Sequence, residues 1–460
     1  MKKNDIIAGK IEKLIYPGLG ILAVDEHKVQ VKGALPGQVV EARLTKNHRT
    51  KKEGRLLAVC SRAEYEQASF CEHFGSCGGC ARQTVPYNKQ LNLKKEAVNA
   101  LFLEHNLEFS FDEIVGSPEI YEYRNKMEYS FGDEVKGGLL NLGMHKKGRF
   151  YDVVSIPNCH LIDGDFRCII DNIEALCREM GLTYFNRNSG LGLVRHVVVR
   201  KGFGTGEILV GISTTSQPGF DSERFVSMLN GLSLEGKIVG ILQLVNDATG
   251  DAVKASEHDL LLFGKPSYTE HLMGLTFEVS FFSFFQTNTQ GASVLYRKAL
   301  GLLSDINGKV LYDLFSGTGT IGQIAASQAK FVYGVEIVED AVLAATENAK
   351  ANALENCQFI AGDVFHVLDA VPEKPDVIIV DPPRAGIMPK TVDKIAAYGV
   401  PEILYISCNP KTMAENLVQF QEHGYHIQKG SMVDLYPHTD HVETVVLLSH
   451  KKSQASSPSL

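Results

Sequence analysis

From about residue 284 onward, short apolar runs alternate with helical stretches, and that texture constrains the fold more than any other feature of the chain. KVLYDLF (309–315), KFVYGVEI (330–337), DVIIVD (376–381) and EILYISC (402–408) read as strands buried on both faces, with helices such as 340–352 between them. The pattern predicts a doubly wound parallel sheet. Three motifs then fall at strand ends along one edge: DLFSGTGTIG (313–322), DPPRAG (381–386) and SCNP (407–410). A glycine loop, a carboxylate and a lone cysteine on one edge suggest covalent catalysis beside a bound nucleotide-like ligand.

Ahead of that domain the texture differs. Residues 1–62 hold short strand-like pieces between glycine turns, the stretch GILAVDEHKVQV among them, and predict a small OB-like barrel. Residues 63–283 are β-rich and open with a cysteine-crowded loop. Residues 284–450 form the α/β domain, and 451–460 make a polar, serine-rich tail expected to be disordered. At 460 residues the chain is too long for one core.

Gly317, Gly319 and Gly322 fit G-x-G-x-x-G, a weak signal that first suggests a dinucleotide. Asp313 shifts the choice, since a carboxylate there would repel a pyrophosphate but could hold an ammonium group. Glu336 ends the next strand, where it can accept from both ribose hydroxyls, and Gly362-Asp363 could face an adenine. Together these favour S-adenosylmethionine over a nicotinamide cofactor.

Cys408 precedes Asn409 and Pro410, good N-cap and first-turn residues, so its thiol is expected at the positive end of a helix with a lowered pKa. A thiolate beside a methyl donor has an evident use on uracil. Addition at C6 makes C5 nucleophilic enough to take a methyl group. The C5 proton must then be removed so that the cysteine can leave. Glu443 begins HVETVVLLS (441–449), which reads as an antiparallel last strand and would bring that carboxylate to the same edge. His438 and His441 are rival bases. The doubled proline after Asp381 stiffens a pocket wall.

Cys71-x5-Cys77-Gly-Gly-Cys80, with Cys159 as a fourth thiol, suits an iron–sulfur cluster better than zinc, whose sites more often show two C-x2-C pairs. The net charge of −8 excludes wholesale coating of nucleic acid, yet residues 1–60 carry 12 Lys and Arg against 6 Asp and Glu. Lys46, Arg49, Lys51, Lys52 and Arg55 gather there, either as a phosphate-binding patch or as a solvated loop. With no apolar run of about 18 residues and no signal-peptide start, a cytoplasmic protein without a membrane span is expected.

These motifs together closely resemble the RNA 5-methyluridine methyltransferases, particularly the iron–sulfur members that act on 23S ribosomal RNA. PGLGILAVDEHKVQVKGALPGQVVEARL resembles a TRAM domain, and FCEHFGSCGGC with PNCHL resembles the family's four ligands to a [4Fe-4S] cluster. YRNKMEYSFG, RHVVVR and FFSFFQTN are also similar to family segments. The resemblance implies an α/β class I (Rossmann-like) methyltransferase domain, an N-terminal OB-like β-barrel (TRAM) and a β-rich central iron–sulfur domain. It further implies that the helix within about 85–114 packs with the catalytic domain.

By the same resemblance Gln286, Phe315, Gly317, Gly319, Glu336 and Asp381 bind S-adenosylmethionine, Cys408 is the nucleophile and Glu443 the base. The partner is RNA, 23S ribosomal RNA first and transfer RNA as the alternative, for a chain expected to work as a monomer. A cytosine-C5 enzyme would carry a cysteine where Pro382-Pro383-Arg384 stands. A radical methylthiotransferase would show C-x3-C-x2-C. An RNA-binding iron–sulfur sensor would not need Cys408 and Glu443 together.

Overall fold

The computed structural model describes residues 1–450, so the 451–460 tail lies outside the described residues. At the N-terminus β1 (Ile6–Ile15), β2 (Leu19–Val24), β3 (His27–Lys32), β4 (Val39–Asn47) and β5 (Lys52–Ser61) close into a barrel in the order β1-β2-β3-β5-β4. Period-two alternation turns Val29 and Val31, and Val40, Ala42 and Leu44, inward onto Ile7, Ile11 and Leu22. GILAVDEHKVQV is two strands rather than one. Asp25, at φ +52°, makes the hairpin, a backbone shape that Asp tolerates better than most residues.

After the cysteine loop come α1 (Tyr87–Glu104) and a two-residue strand β6 (Ile114–Val115). Val98 and Phe102 of α1 are fully buried in the catalytic domain's core, and β6 adds to the edge of its sheet. The helix and short strand that follow the cysteine loop therefore belong in space with the last domain.

The central layer is built on β7 (Lys126–Gly132), β8 (Asn141–Lys146), β9 (Arg149–Ser155), β10 (Val194–Lys201), β11 (Glu207–Thr214), β12 (Lys237–Val245) and β13 (Leu260–Gly264). They form one sheet in the order β13-β12-β11-β10-β7-β8-β9. Its face is covered by α2 (Gly164–Glu179) and α3 (Ser222–Asn230), through Phe166, Ile169, Ile173 and Phe225. A hairpin of β14 (Ser267–Leu272) and β15 (Leu275–Ser280) leads into the catalytic domain.

There, α4 (Thr289–Leu300) precedes β16 (Val310–Leu314), α5 (Thr320–Ala326), β17 (Phe331–Glu336), α6 (Glu339–Ala351), β18 (Cys357–Ala361) and α7 (Val364–Val367). Then follow β19 (Val377–Val380), α8 (Pro389–Ala397), β20 (Glu402–Ser407), α9 (Pro410–Glu422), β21 (Tyr425–Val433) and β22 (Glu443–His450). The sheet order is β18-β17-β16-β19-β20-β22-β21-β6, with β22 antiparallel to both neighbours. Every residue of β16, β19 and β20 is buried, which is why those runs lack polar alternation. Strand order reverses between β16 and β19, the switch point where such sheets leave a crevice for a ligand. No described helix is long and apolar enough to cross a membrane.

Candidate active site

The loop from β16 to α5 is shaped by left-handed backbone, which glycine adopts freely and which is strained at Phe315. Phe315, Gly317 and Gly319 all have positive φ, +63°, +53° and +71°. A Cβ on Gly319 would fall 2.4 Å from the Phe359 ring, so the turn admits no side chain there. Two carboxylates brace the loop. Asp313 Oδ2 accepts from Gly322 N–H at 2.9 Å, and Glu336 Oε2 accepts from Gly317 N–H at 3.0 Å. Asp313 is fully buried beneath the loop, with its second oxygen, Oδ1, left unpartnered. Asp363 caps α7, accepting from Phe365 N–H at 2.9 Å.

Gln286 is buried with its Oε1 unpartnered. Its segment is held by a polar scaffold that sequence patterns gave no reason to expect. Asn125 donates to the Gln286 carbonyl at 2.9 Å and to Thr289 Oγ1 at 2.8 Å. Buried Arg200 donates to the carbonyls of Ser280, Phe281 and Ser283. Such charge-assisted bonds are worth about 1.5–3 kcal/mol each.

The reacting edge is set by strand pairing. Ser407 stands opposite Thr444 in the β20–β22 ladder, so the next step of the register brings Cys408 level with Glu443. Asn409 caps α9, accepting from Lys411 N–H at 3.3 Å, and its Nδ2 donates to the Arg384 carbonyl at 2.8 Å. The DPPR corner is thereby tied to the cysteine. The Arg384 guanidinium lies near the Cys408 thiol and favours its anion, a neighbour the sequence reading missed. Tyr436 and Tyr296 were missed too. Tyr436 lies close to Glu443, and buried Tyr296 lies close to Gln286, Asp381, Glu443 and Asp313.

The electrostatics depart from the sequence expectation at Cys408. Burial, then the Glu443 and Asp381 charges, push its thiol up to about 11, outweighing the position at a helix N-terminus and the Arg384 contact. Burial also pushes Asp381 and Asp313 up to about 7, and burial followed by Asp381 pushes Glu443 up to about 8. Asp381 keeps some open surface, but its carboxylate is enclosed by the site walls. A crevice with three carboxylates short of counter-charge, and orphaned oxygens on Gln286, Asp313 and Ser316, fits a cationic ligand rich in donors. Neither rival histidine stands as Glu443 does. His438 is buried and stacked on Tyr121, with centroids 5.0 Å apart, and its Nδ1 lies 3.1 Å from Gln90 Nε2. His441 has its ring 6.2 Å from Tyr436, and burial together with the nearby Arg384 charge lowers its pKa.

The second candidate site is a cavity in the central domain. Cys71, Cys77, Cys80 and Cys159 line it together, with Met127, Met144, Ile156 and Leu161. Gly79 N–H donates to the Cys77 sulfur at 3.3 Å and Gln83 Nε2 to the Cys80 sulfur at 3.3 Å. Burial pushes Cys159 up to about 11 and Cys80 up to about 12. The four thiols share an apolar chamber with donors aimed at sulfur, a donor set that suits a sulfur-rich cluster. Even so, among the described residues no three ligand side chains are gathered tightly enough for a bare metal ion. In the basic patch of the barrel, Lys46 and Lys51 both pair with Glu53 at 2.8 Å, which removes part of its surplus charge.

Residues 272–451 match the family model of the tRNA (uracil-5-)-methyltransferases. An uncharacterized RNA methyltransferase of Clostridium acetobutylicum is 44% identical over 98% of this chain and 99% of its own length. One from Caldanaerobacter subterraneus subsp. tengcongensis is 40% identical over 97% and 99%. Among solved structures, the tRNA (uracil-54, C5)-methyltransferase of Pyrococcus abyssi, in complex with S-adenosyl-L-homocysteine, superposes with a TM-score of 0.76. That comparison has 26% identity and covers 96% of this chain and 100% of the other.

Proposed function

The chain belongs to the S-adenosylmethionine-dependent RNA (uracil-5-)-methyltransferases, and from that premise we propose that it methylates C5 of uridine through a covalent Cys408 adduct. The observation that carries the mechanism is the β20–β22 register, which sets Glu443 level with Cys408. Cys408 gives up its proton to the Asp381 carboxylate, leaving Glu443 ionised, while Arg384 steadies the sulfur anion. The thiolate forms a bond to C6, and the electron pair moves to C5 and O4 of the uracil. S-adenosylmethionine supplies the methyl group that C5 takes. Glu443 accepts the C5 proton, the C5–C6 double bond re-forms and the C6–S bond breaks. The crevice of Gln286, Phe315, Gly317, Gly319, Glu336 and Asp381 would hold the methyl donor.

Cys71, Cys77, Cys80 and Cys159 would hold a [4Fe-4S] cluster, supported by their shared chamber and the two donors aimed at sulfur. No step of the chemistry requires an electron, so its role is structural or RNA-positioning. Normal folding and turnover after Cys71, Cys77 and Cys80 are changed to Ser would refute that role. The barrel with four cysteines supports 23S ribosomal RNA as the substrate by resemblance. The likeness to the P. abyssi enzyme favours transfer RNA as the second reading.

One experiment tests both mechanism and substrate. Ribosomal and transfer RNA carrying 5-fluorouridine are incubated with the protein and S-adenosylmethionine, because fluorine at C5 blocks the final elimination. A denaturant-stable protein–RNA adduct is expected with wild type and not with Cys408→Ala, on ribosomal RNA. An adduct on transfer RNA alone would replace the substrate. No adduct on either, with cofactor bound, would end the proposed role of Cys408.

A further inference from the structure

The turn between β1 and β2 does not stay with the barrel. Tyr16 packs, partly buried, against the hydrophobic core of the catalytic domain. Its charged neighbours are Cys408, Glu443, Arg384 and Asp440, the same groups that surround the reacting edge.

The turn is fixed in place by a clamp. Arg82, 2% exposed, donates from Nε to Asp440 Oδ1 at 2.6 Å and from Nη2 to the Gly18 carbonyl at 3.0 Å. Gly18, at φ +73°, meets Asp440 so closely that a Cβ there would lie 2.2 Å from its carboxyl group. Asp440 is three residues ahead of Glu443, on the loop that also carries Tyr436. The β1–β2 turn of the barrel is thus clamped onto the loop that presents the base.

We propose that Tyr16 is a substrate-contacting residue of the uridine site, its ring forming one wall and its hydroxyl donating to the uracil O4. This rests on the assignment of Cys408 and Glu443 given above. Three features of Tyr16 point the same way. The side chain is half-buried, packed against the core yet retaining exposed surface. The influences on its hydroxyl are burial and charge, with no hydrogen bond among them, which leaves the O–H for a ligand. Burial also holds the hydroxyl well above its ordinary pKa, so it stays protonated and can donate. Chemically, addition of Cys408 to C6 places negative charge on O4, and a fixed neutral donor there stabilises the transition state more than the bound uridine.

The test compares Tyr16→Phe and Tyr16→Ala with wild type for turnover, KM for RNA, S-adenosylmethionine affinity and rate of 5-fluorouridine adduct formation. Tyr16→Phe is expected to lower kcat and the adduct rate about 10- to 100-fold, with KM and cofactor affinity close to wild type. Tyr16→Ala should in addition raise KM, because the wall is gone. Wild-type kcat and adduct rate in Tyr16→Phe would overturn the proposal while leaving Cys408 standing. Loss of cofactor affinity along with turnover in Tyr16→Phe would overturn it also, by reducing Tyr16 to a packing residue. Failure of the wild-type protein itself to form an adduct would instead remove the Cys408 assignment and this proposal together.

Discussion

Glu443 is fully buried, level with a thiol and close to a second carboxylate, and its proton affinity follows from that enclosure rather than from its identity. Two consequences have opposite signs. As a base it works only when ionised, so turnover should rise with pH up to about 8 and then level off. For stability, the folded state holds the proton up to about 8, whereas an unfolded Glu releases it near 4.5. The fold is therefore unpenalised below the unfolded value, and its stability is lost progressively as pH rises toward 8. Glu443→Gln should abolish turnover yet raise the melting temperature by a few degrees at pH 8.5, with almost no gain at pH 5. It should also accumulate a methylated covalent adduct on ordinary uridine RNA, because the C5 proton has no acceptor. Equal melting temperatures for variant and wild type at pH 8.5 would contradict the burial argument. Cys408, Glu443 and Asp381 were legible as ends and beginnings of strands. The thiol's raised pKa was not, since it depends on carboxylates 27 and 35 residues away.

Among the elements, α1 shows how a helix distant in sequence organises the reacting edge. Lys94, 6% exposed, pairs with fully buried Asp434 at 2.8 Å and donates to the Tyr436 carbonyl at 3.2 Å. Asp434 Oδ1 also accepts from Tyr436 N–H at 3.0 Å, so one ion pair fixes the start of the loop that ends at Glu443. Lys94→Ala would strand a buried carboxylate and should cost about 3–5 kcal/mol, read as a lower urea midpoint. Double replacement, Lys94→Met with Asp434→Leu, should recover most of that stability but not the turnover, because Tyr436 loses its anchor. A double variant with full activity would show that the loop needs no such anchor. The strands and helices of the α/β domain were readable from alternating apolar runs, because parallel strands buried on both faces cannot hide their composition. The contribution of α1 came only from the family resemblance. Its weak amphipathic pattern, with Gln90 and Lys94 on the buried face, gives periodicity little to detect.

For the whole molecule, the decisive contact joins residues 358 positions apart, Arg82 and Asp440, and no local pattern announces it. The sequence separated barrel, central sheet and catalytic domain by texture, but texture carries no information on how they dock. Docking matters because a barrel that grips RNA can present one uridine to Cys408 only if its distance from the reacting edge is fixed. The Arg82 clamp supplies that fixity: it spans the Gly18 carbonyl of the barrel turn and the Asp440 carboxylate ahead of the base. Arg82→Met would keep much of the apolar stem while removing both hydrogen bonds, so the barrel should remain folded and the turn should loosen. With Tyr16 and the Asp440 loop no longer held together, kcat should fall and KM for RNA should rise together, each about tenfold. Affinity for S-adenosylmethionine should hold, because Gln286, Glu336 and the β16–α5 loop make no contact with the clamp. Calorimetric titration of the cofactor beside steady-state kinetics on RNA separates these outcomes. A variant with unchanged KM would mean that the barrel binds RNA without reference to the catalytic edge, and that the two grips act independently.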